Sequence, residues 1–160
     1  MDTTKGEKML IDQIAAALLW TTMAVVISQL VSIGIMWVLG LSPKRLVHEI
    51  EDVQNPAVGA MFFVIALAVA IYISVFFSSG YSVETDFGQS ALWFTTGLLI
   101  AAVYLIITLM IAHRLMDRVD NESVYQYLRR ELVQEQNLSL ALFLGGLTIT
   151  PFIAVVFQII

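Results

Sequence analysis

Glu49 and Asn55 stand six residues apart in "EIEDVQNPAVGA", and Glu131 and Asn137 repeat the spacing in "ELVQEQNLSLAL". A carboxylate with a carboxamide nearby can do two kinds of chemistry. It can draw a cation to a polar mouth, or the Asn can cap a helix while the Glu belongs to the aqueous segment before it. Asn ranks among the best N-cap residues, and Pro56, directly behind Asn55, suits the first helical position. Placing Glu49 over Glu131 gives an offset of 82 residues (131 minus 49), and the match extends beyond the pair. Gln54 then meets Gln136, Ala57 meets Ser139, Gly59 meets Ala141, and Leu46 meets Leu128 upstream. Glu49, Asn55, Ala57, Gly59, Glu131, Asn137, Ser139 and Ala141 are the candidate structural or binding motif.

Other reactive chemistry is scarce. The chain has no cysteine, which removes disulfides, thiolate nucleophiles and sulfur-built metal sites. His48 and His113 have no companion at metal-ligand spacing. No Gly-rich phosphate loop, nucleophile elbow or pair of catalytic carboxylates is present. "SSGYSVETDFGQS" reads as a short polar turn. The expectation is a protein that is not an enzyme and needs no cofactor. A net charge of −5 argues against nucleic acid as a partner.

The elements that carry the motif are set by solvent. Of the 160 residues, 59% are hydrophobic and 13% charged, about half the charge of a soluble domain. A fold this small cannot hide so much apolar surface from water. No ionised residue occurs between Asp12 and Lys44, Asp52 and Glu84, Asp86 and His113, or from Gln136 to Ile160. Each block exceeds the ~20 residues needed to cross ~30 Å of hydrocarbon. A charge at mid-span costs roughly 2.5–3.5 kcal/mol on insertion scales, so charges mark the ends. The spacing predicts spans over Ile14–Leu39, Pro56–Ser79, Gln89–Ala112 and Leu138–Ile160. The mixed-charge N-terminus makes the first of these a retained span rather than a cleaved signal.

The fold class expected is therefore all-α: four transmembrane helices in one membrane domain, arranged as two tandem two-helix repeats over 14–79 and 89–160. Amphipathic segments 42–55 and 114–137 join the helices of each repeat. Each half crosses twice, so both share one orientation, related by a pseudo-two-fold axis along the membrane normal. Lys44, Arg45, Arg114, Arg118, Arg129 and Arg130 lie on one side; only Lys5 and Lys8 lie on the other. The positive-inside bias puts loops 40–55 and 113–137 in the cytoplasm and both termini outside. Trp20, Trp37, Tyr81, Phe87 and Trp93 fall near the proposed interfaces.

The acidic residue, the Asn followed by small residues, and the four spans in two copies resemble the domain-of-unknown-function family numbered 350. The resemblance implies a small bacterial inner-membrane protein of an uncharacterised family and carries no known activity. It is strongest at Glu49, Asn55, Ala57 and Gly59.

Small residues suggest how the spans associate. Ala66, Ala70, Ser74 and Ser78 recur every fourth position in the second span, with Ala24, Ser28 and Ser32 in the first. Gly97 and Ala101 mark the third, and Gly146, Thr150 and Ala154 the fourth. Such stripes let helix backbones approach closely in lipid. Gln29, Thr95, Thr96 and Thr108 read as ordinary helix–helix hydrogen bonders. Pro151 should kink the fourth span, with Thr148 and Thr150 helping the freed carbonyls. Val124, Leu128 and Leu132 give the second connector an apolar face on the bilayer, with Arg129 and Arg130 at anionic headgroups.

Two functions remain open. The leading expectation is an accessory or scaffold subunit whose partners are the lipid bilayer and other membrane subunits or further copies of itself. The alternative is a small oligomeric channel or transporter module with polar mouths at Asn55 and Asn137, lined by Ser28, Ser32, Ser74 and Ser78.

Overall fold

The computed structural model describes residues 3–78, 87–116 and 122–159, with side chains over 14–76, 88, 91–116 and 122–158. The Ser78 side chain and Lys5, Lys8, Tyr81, Phe87 and Arg118 fall outside those side chains. Four long helices dominate: α1 (Thr3–Val38), α3 (Pro56–Ser78), α4 (Phe87–Leu115) and α6 (Leu138–Ile159). Two short helices, α2 (Pro43–Val47) and α5 (Val124–Arg129), lie in the connectors. Each runs directly into one turn of π-helix, His48–Asp52 and Arg130–Gln134 respectively. Among the described residues there is no strand.

Stretches Ile14–Val38, Pro56–Phe76, Ala91–Leu115 and Leu138–Gln158 are each long and apolar enough to cross a bilayer. The chain is a multi-pass membrane protein. The third span runs three residues past the expected end at Ala112. His113 and Arg114 stay helical there, placing a basic residue in the last turn where the helix dipole favours it.

The helices pack in the order α1, α3, α6, α4, a row rather than a closed four-membered bundle. Burial follows position in that row: 44% and 50% of the central spans α3 and α6 are buried, against 6% of α1 and 22% of α4. The buried face of α3 includes Ala57, Met61, Ile65, Ala68 and Tyr72, spaced by three or four residues. At the closest approach a Cβ on Gly145 would stand 2.8 Å from Val64 Cβ, so only glycine lets α6 lie there. The expected stripe named Gly146 instead, where an added Cβ would meet no described neighbour within 4 Å.

Local chemistry ends the helices. Gly40, at φ +97°, lets α1 turn back on itself; Leu41 N–H donates to Met36 O at 2.9 Å and Gly40 N–H to Trp37 O at 2.9 Å. That is the Schellman closure, sealed by the buried Met36 and Leu41. Ser123 and Gln126 form a capping box on α5, each side chain accepting from the other's N–H, at 3.3 and 3.0 Å. In α6 Thr148 Oγ1 donates to Leu144 O at 2.9 Å and Thr150 Oγ1 to Gly146 O at 3.5 Å, so neither meets the Leu147 carbonyl that Pro151 releases.

Candidate functional site

The two Glu–Asn pairs sit where each connector enters a central helix, and both connectors lie at the same end of the row. A plain α-helix would put residues six apart on different faces. The π turn and a left-handed residue bring them together. In the first connector Val53 N–H donates to His48 O at 3.0 Å, Gln54 adopts φ +56°, and Asn55 N–H closes on Glu49 O at 2.8 Å. In the second, Glu135 N–H donates to Arg130 O at 2.9 Å, Gln136 adopts φ +50°, and Asn137 N–H closes on Glu131 O at 2.9 Å. A non-glycine residue in the left-handed region costs roughly 1–2 kcal/mol. The bonds of the Asn that follows offset that cost.

The side chains then complete the turn. Asn55 Nδ2 donates to Glu49 Oε2 at 3.1 Å and to the Leu132 carbonyl at 2.9 Å. Its Oδ1 accepts from Ala57 N–H at 3.1 Å and Val58 N–H at 3.2 Å. Two donors and two acceptor sites are all a carboxamide has, so Asn55 is saturated. It caps the start of α3 and also the end of the π turn in the other connector. Asn137 Nδ2 donates to Glu131 Oε2 at 2.9 Å, and its Oδ1 accepts from Leu140 N–H at 3.0 Å.

The carboxylates differ in their neighbours. Glu49 and Glu131 are both buried. Glu49 has Arg45 Nε at 3.7 Å. Glu131 accepts from Arg130 Nη1 at 2.8 Å, and that guanidinium also holds Glu135 at 2.7 Å and Glu122 bidentately at 3.0 and 3.1 Å. Arg130 Cζ lies 5.5 Å from the centre of the Tyr127 ring. These bonds to Glu122 and Glu135 hold the guanidinium protonated more firmly than usual. Burial, with Glu131 second, pushes the Tyr127 hydroxyl above its ordinary value.

This corrects two expectations for the second connector. Arg130 is committed to three carboxylates rather than to headgroups. Leu128 and Leu132 are buried in the common core with Tyr127, and Val124 packs partly buried against it, rather than being laid on a bilayer. Tyr127 Oη donates to Met116 Sδ at 2.8 Å, and its ring meets buried His113 edge-on at 5.2 Å. Among the described residues, His113 Nε2 is a buried nitrogen without a hydrogen-bond partner. Sequence reading missed this hub because Glu122, Arg130 and Glu135 follow no helical charge spacing.

The remaining motif residues divide. Ala57 and Ala141 are fully buried beside their Asn; Ser139 is exposed, and a Cβ added at Gly59 would meet no described neighbour within 4 Å. Of the stripes, Ala101 is fully buried, Gly97 is buried, Ala66 and Ala70 are half-buried, and Ser74, Thr150 and Ala154 are exposed. Ala70 and Ser74 face α1 across a groove; Thr150 and Ala154 line another of about 490 Å³ between α4 and α6. Ser28 and Ser32 are buried, the Ser32 hydroxyl closing on Ser28 O at 2.7 Å. Among the described residues no group of three His, Cys, Asp or Glu side chains could hold a metal.

No curated protein and no solved structure matches the chain. The family model described as Domain of Unknown Function (DUF350) matches residues 9–157, both Glu–Asn pairs included. The chain belongs to the DUF350 family.

Proposed function

We propose that this protein is a non-enzymatic accessory or scaffold subunit of a larger or homo-oligomeric assembly in the inner membrane. Its connectors face the cytoplasm and its termini the outside, following the six-to-two distribution of basic residues. Its halves are an internal repeat in parallel orientation. The matching π turns, left-handed glutamines and Glu–Asn bonds at an offset of 82 residues support that reading.

One observation carries the functional part: every donor and acceptor of Asn55 is consumed within the chain. A saturated carboxamide locks helices and offers nothing to a passing ion. The outer helices, in contrast, leave long apolar flanks to lipid or to neighbouring subunits.

The test is purification in mild detergent, with mass and co-purifying proteins determined, followed by ion flux in liposomes. The subunit reading expects a stoichiometric assembly, from copies of itself or with other proteins, and no flux. Flux from the isolated protein that falls in Glu49→Gln and Glu131→Gln would replace it with the channel or transporter module.

A further inference from the structure

Inside the spans, several hydroxyl groups bond within their own helix. Thr22, Ser32, Thr95, Thr108 and Thr148 each donate to the carbonyl four residues earlier, at 2.7–2.9 Å. Gln29 does not. Its carboxamide is exposed on α1, and among the described residues nothing bonds to it. It stands fifteen residues after Ile14 and nine before Val38, about 22 and about 14 Å from the span's ends at 1.5 Å per residue. That depth is hydrocarbon, where lipid supplies neither donor nor acceptor and an unsatisfied polar group costs several kcal/mol.

The surroundings of Gln29 accept a close neighbour. It borders a groove of about 460 Å³ between α1 and α3, walled on the α1 side by Ala17, Thr21, Ala24 and Ser28. Those small side chains recur every three or four residues, with the larger Trp20 and Val25 beside them. The α1 span is also the least covered of the four.

We infer that α1 is a self-association face, and that a second copy of this chain seats its own α1 there with the two Gln29 carboxamides paired across a two-fold axis. The chemistry selects the occupant. A carboxamide carries a donor and an acceptor side by side, so it is complementary to an identical carboxamide turned by 180°. A second copy brings that group at the same depth and with the same orientation in the membrane, and the resulting contact is isologous and closed. An apolar helix or an acyl chain would leave both amides unpaired. This inference rests on the proposed assembly and names one partner within it.

Because the chain has no cysteine, single-cysteine crosslinking in native membranes reads the contact cleanly. Val25→Cys, one turn from Gln29, should give a disulfide-linked dimer, whereas Leu99→Cys on exposed α4 should not. Gln29→Leu in the Val25→Cys background should weaken association about tenfold, about threefold for each amide–amide bond, and Gln29→Asn should retain part of it. Crosslinks through Leu99→Cys alone, mixed Val25–Leu99 crosslinks, or a Val25 dimer indifferent to Gln29→Leu would overturn the α1 pairing. A chain that co-purifies with other proteins but never crosslinks through α1 overturns this inference and leaves the subunit reading standing. A chain that is monomeric and alone in lipid overturns both.

Discussion

The two connectors share a backbone and differ in how they are held. In the first, Asn55 makes four hydrogen bonds and reaches across to Leu132, while Glu49 has one cation at 3.7 Å. In the second, Asn137 makes two side-chain bonds and stays within its own connector, while Glu131 belongs to a network around Arg130. The same turn is thus secured once by a saturated amide and once by charge. The dependence runs one way: the first connector completes the second.

The largest effect follows from that asymmetry. Asn55→Ala removes a cap and the Nδ2 donor that the Leu132 carbonyl and the Glu49 carboxylate share. A lost cap costs roughly 1 kcal/mol and each stranded buried group about 1–3. Asn55→Ala should therefore destabilise by about 3–4 kcal/mol, and Asn137→Ala by about 1–2, in reversible unfolding from micelles. Equal losses would dissolve the distinction between the connectors.

Gly40 supplies the second test, because a Cβ there would collide with the Tyr125 ring of α5 as well as strain a backbone at φ +97°. Gly40→Ala should cost about 2–3 kcal/mol, from the left-handed penalty and overpacking together. In a Tyr125→Ala background the same substitution should cost about 1 kcal/mol, the backbone share alone. If Tyr125→Ala rescues nothing, the connectors do not press on each other there.

Charge should matter more in the second connector than in the first. Arg130→Met removes the guanidinium that bridges Glu122, Glu131 and Glu135 and should lower the unfolding midpoint clearly; Arg45→Met should lower it less, since its single contact with Glu49 is longer, at 3.7 Å. High salt should weaken the wild type and not the Arg130→Met variant.

The smallest effect is alkaline. The Tyr127 hydroxyl titrates higher in the folded protein than in the unfolded chain, so its contribution is complete below about pH 10. It is lost as pH rises through the folded value, because the unfolded state gives up its proton first. Tyr127→Phe should flatten that decline while forfeiting the bond to Met116.

The sequence revealed some of this and hid the rest for physical reasons. Spans were legible because a charge in hydrocarbon is costly, so uncharged intervals mark them directly. Asn55 and Asn137 were legible as caps because Asn before an apolar run, with Pro56 behind it, has few other uses. Which helix face turns inward was not legible. In lipid the outer face is as apolar as the inner one, so periodicity carries little information, and Gly145 could not be told from its neighbour Gly146. The π turns left no mark in composition. Only the six-residue Glu–Asn spacing hinted at them, since that pair cannot meet on an ordinary helix. The Asn55–Leu132 bond joins residues 77 apart, beyond the reach of any local pattern.

Hydrogen exchange of the wild type and the two Asn variants in lipid nanodiscs tests the one-way coupling most directly. Asn55→Ala should speed exchange at residues 55–60 and also at 130–137, whereas Asn137→Ala should speed it at 137–142 alone. Loss of protection confined to 55–60 in the first variant, or spread over both connectors in the second, would contradict it.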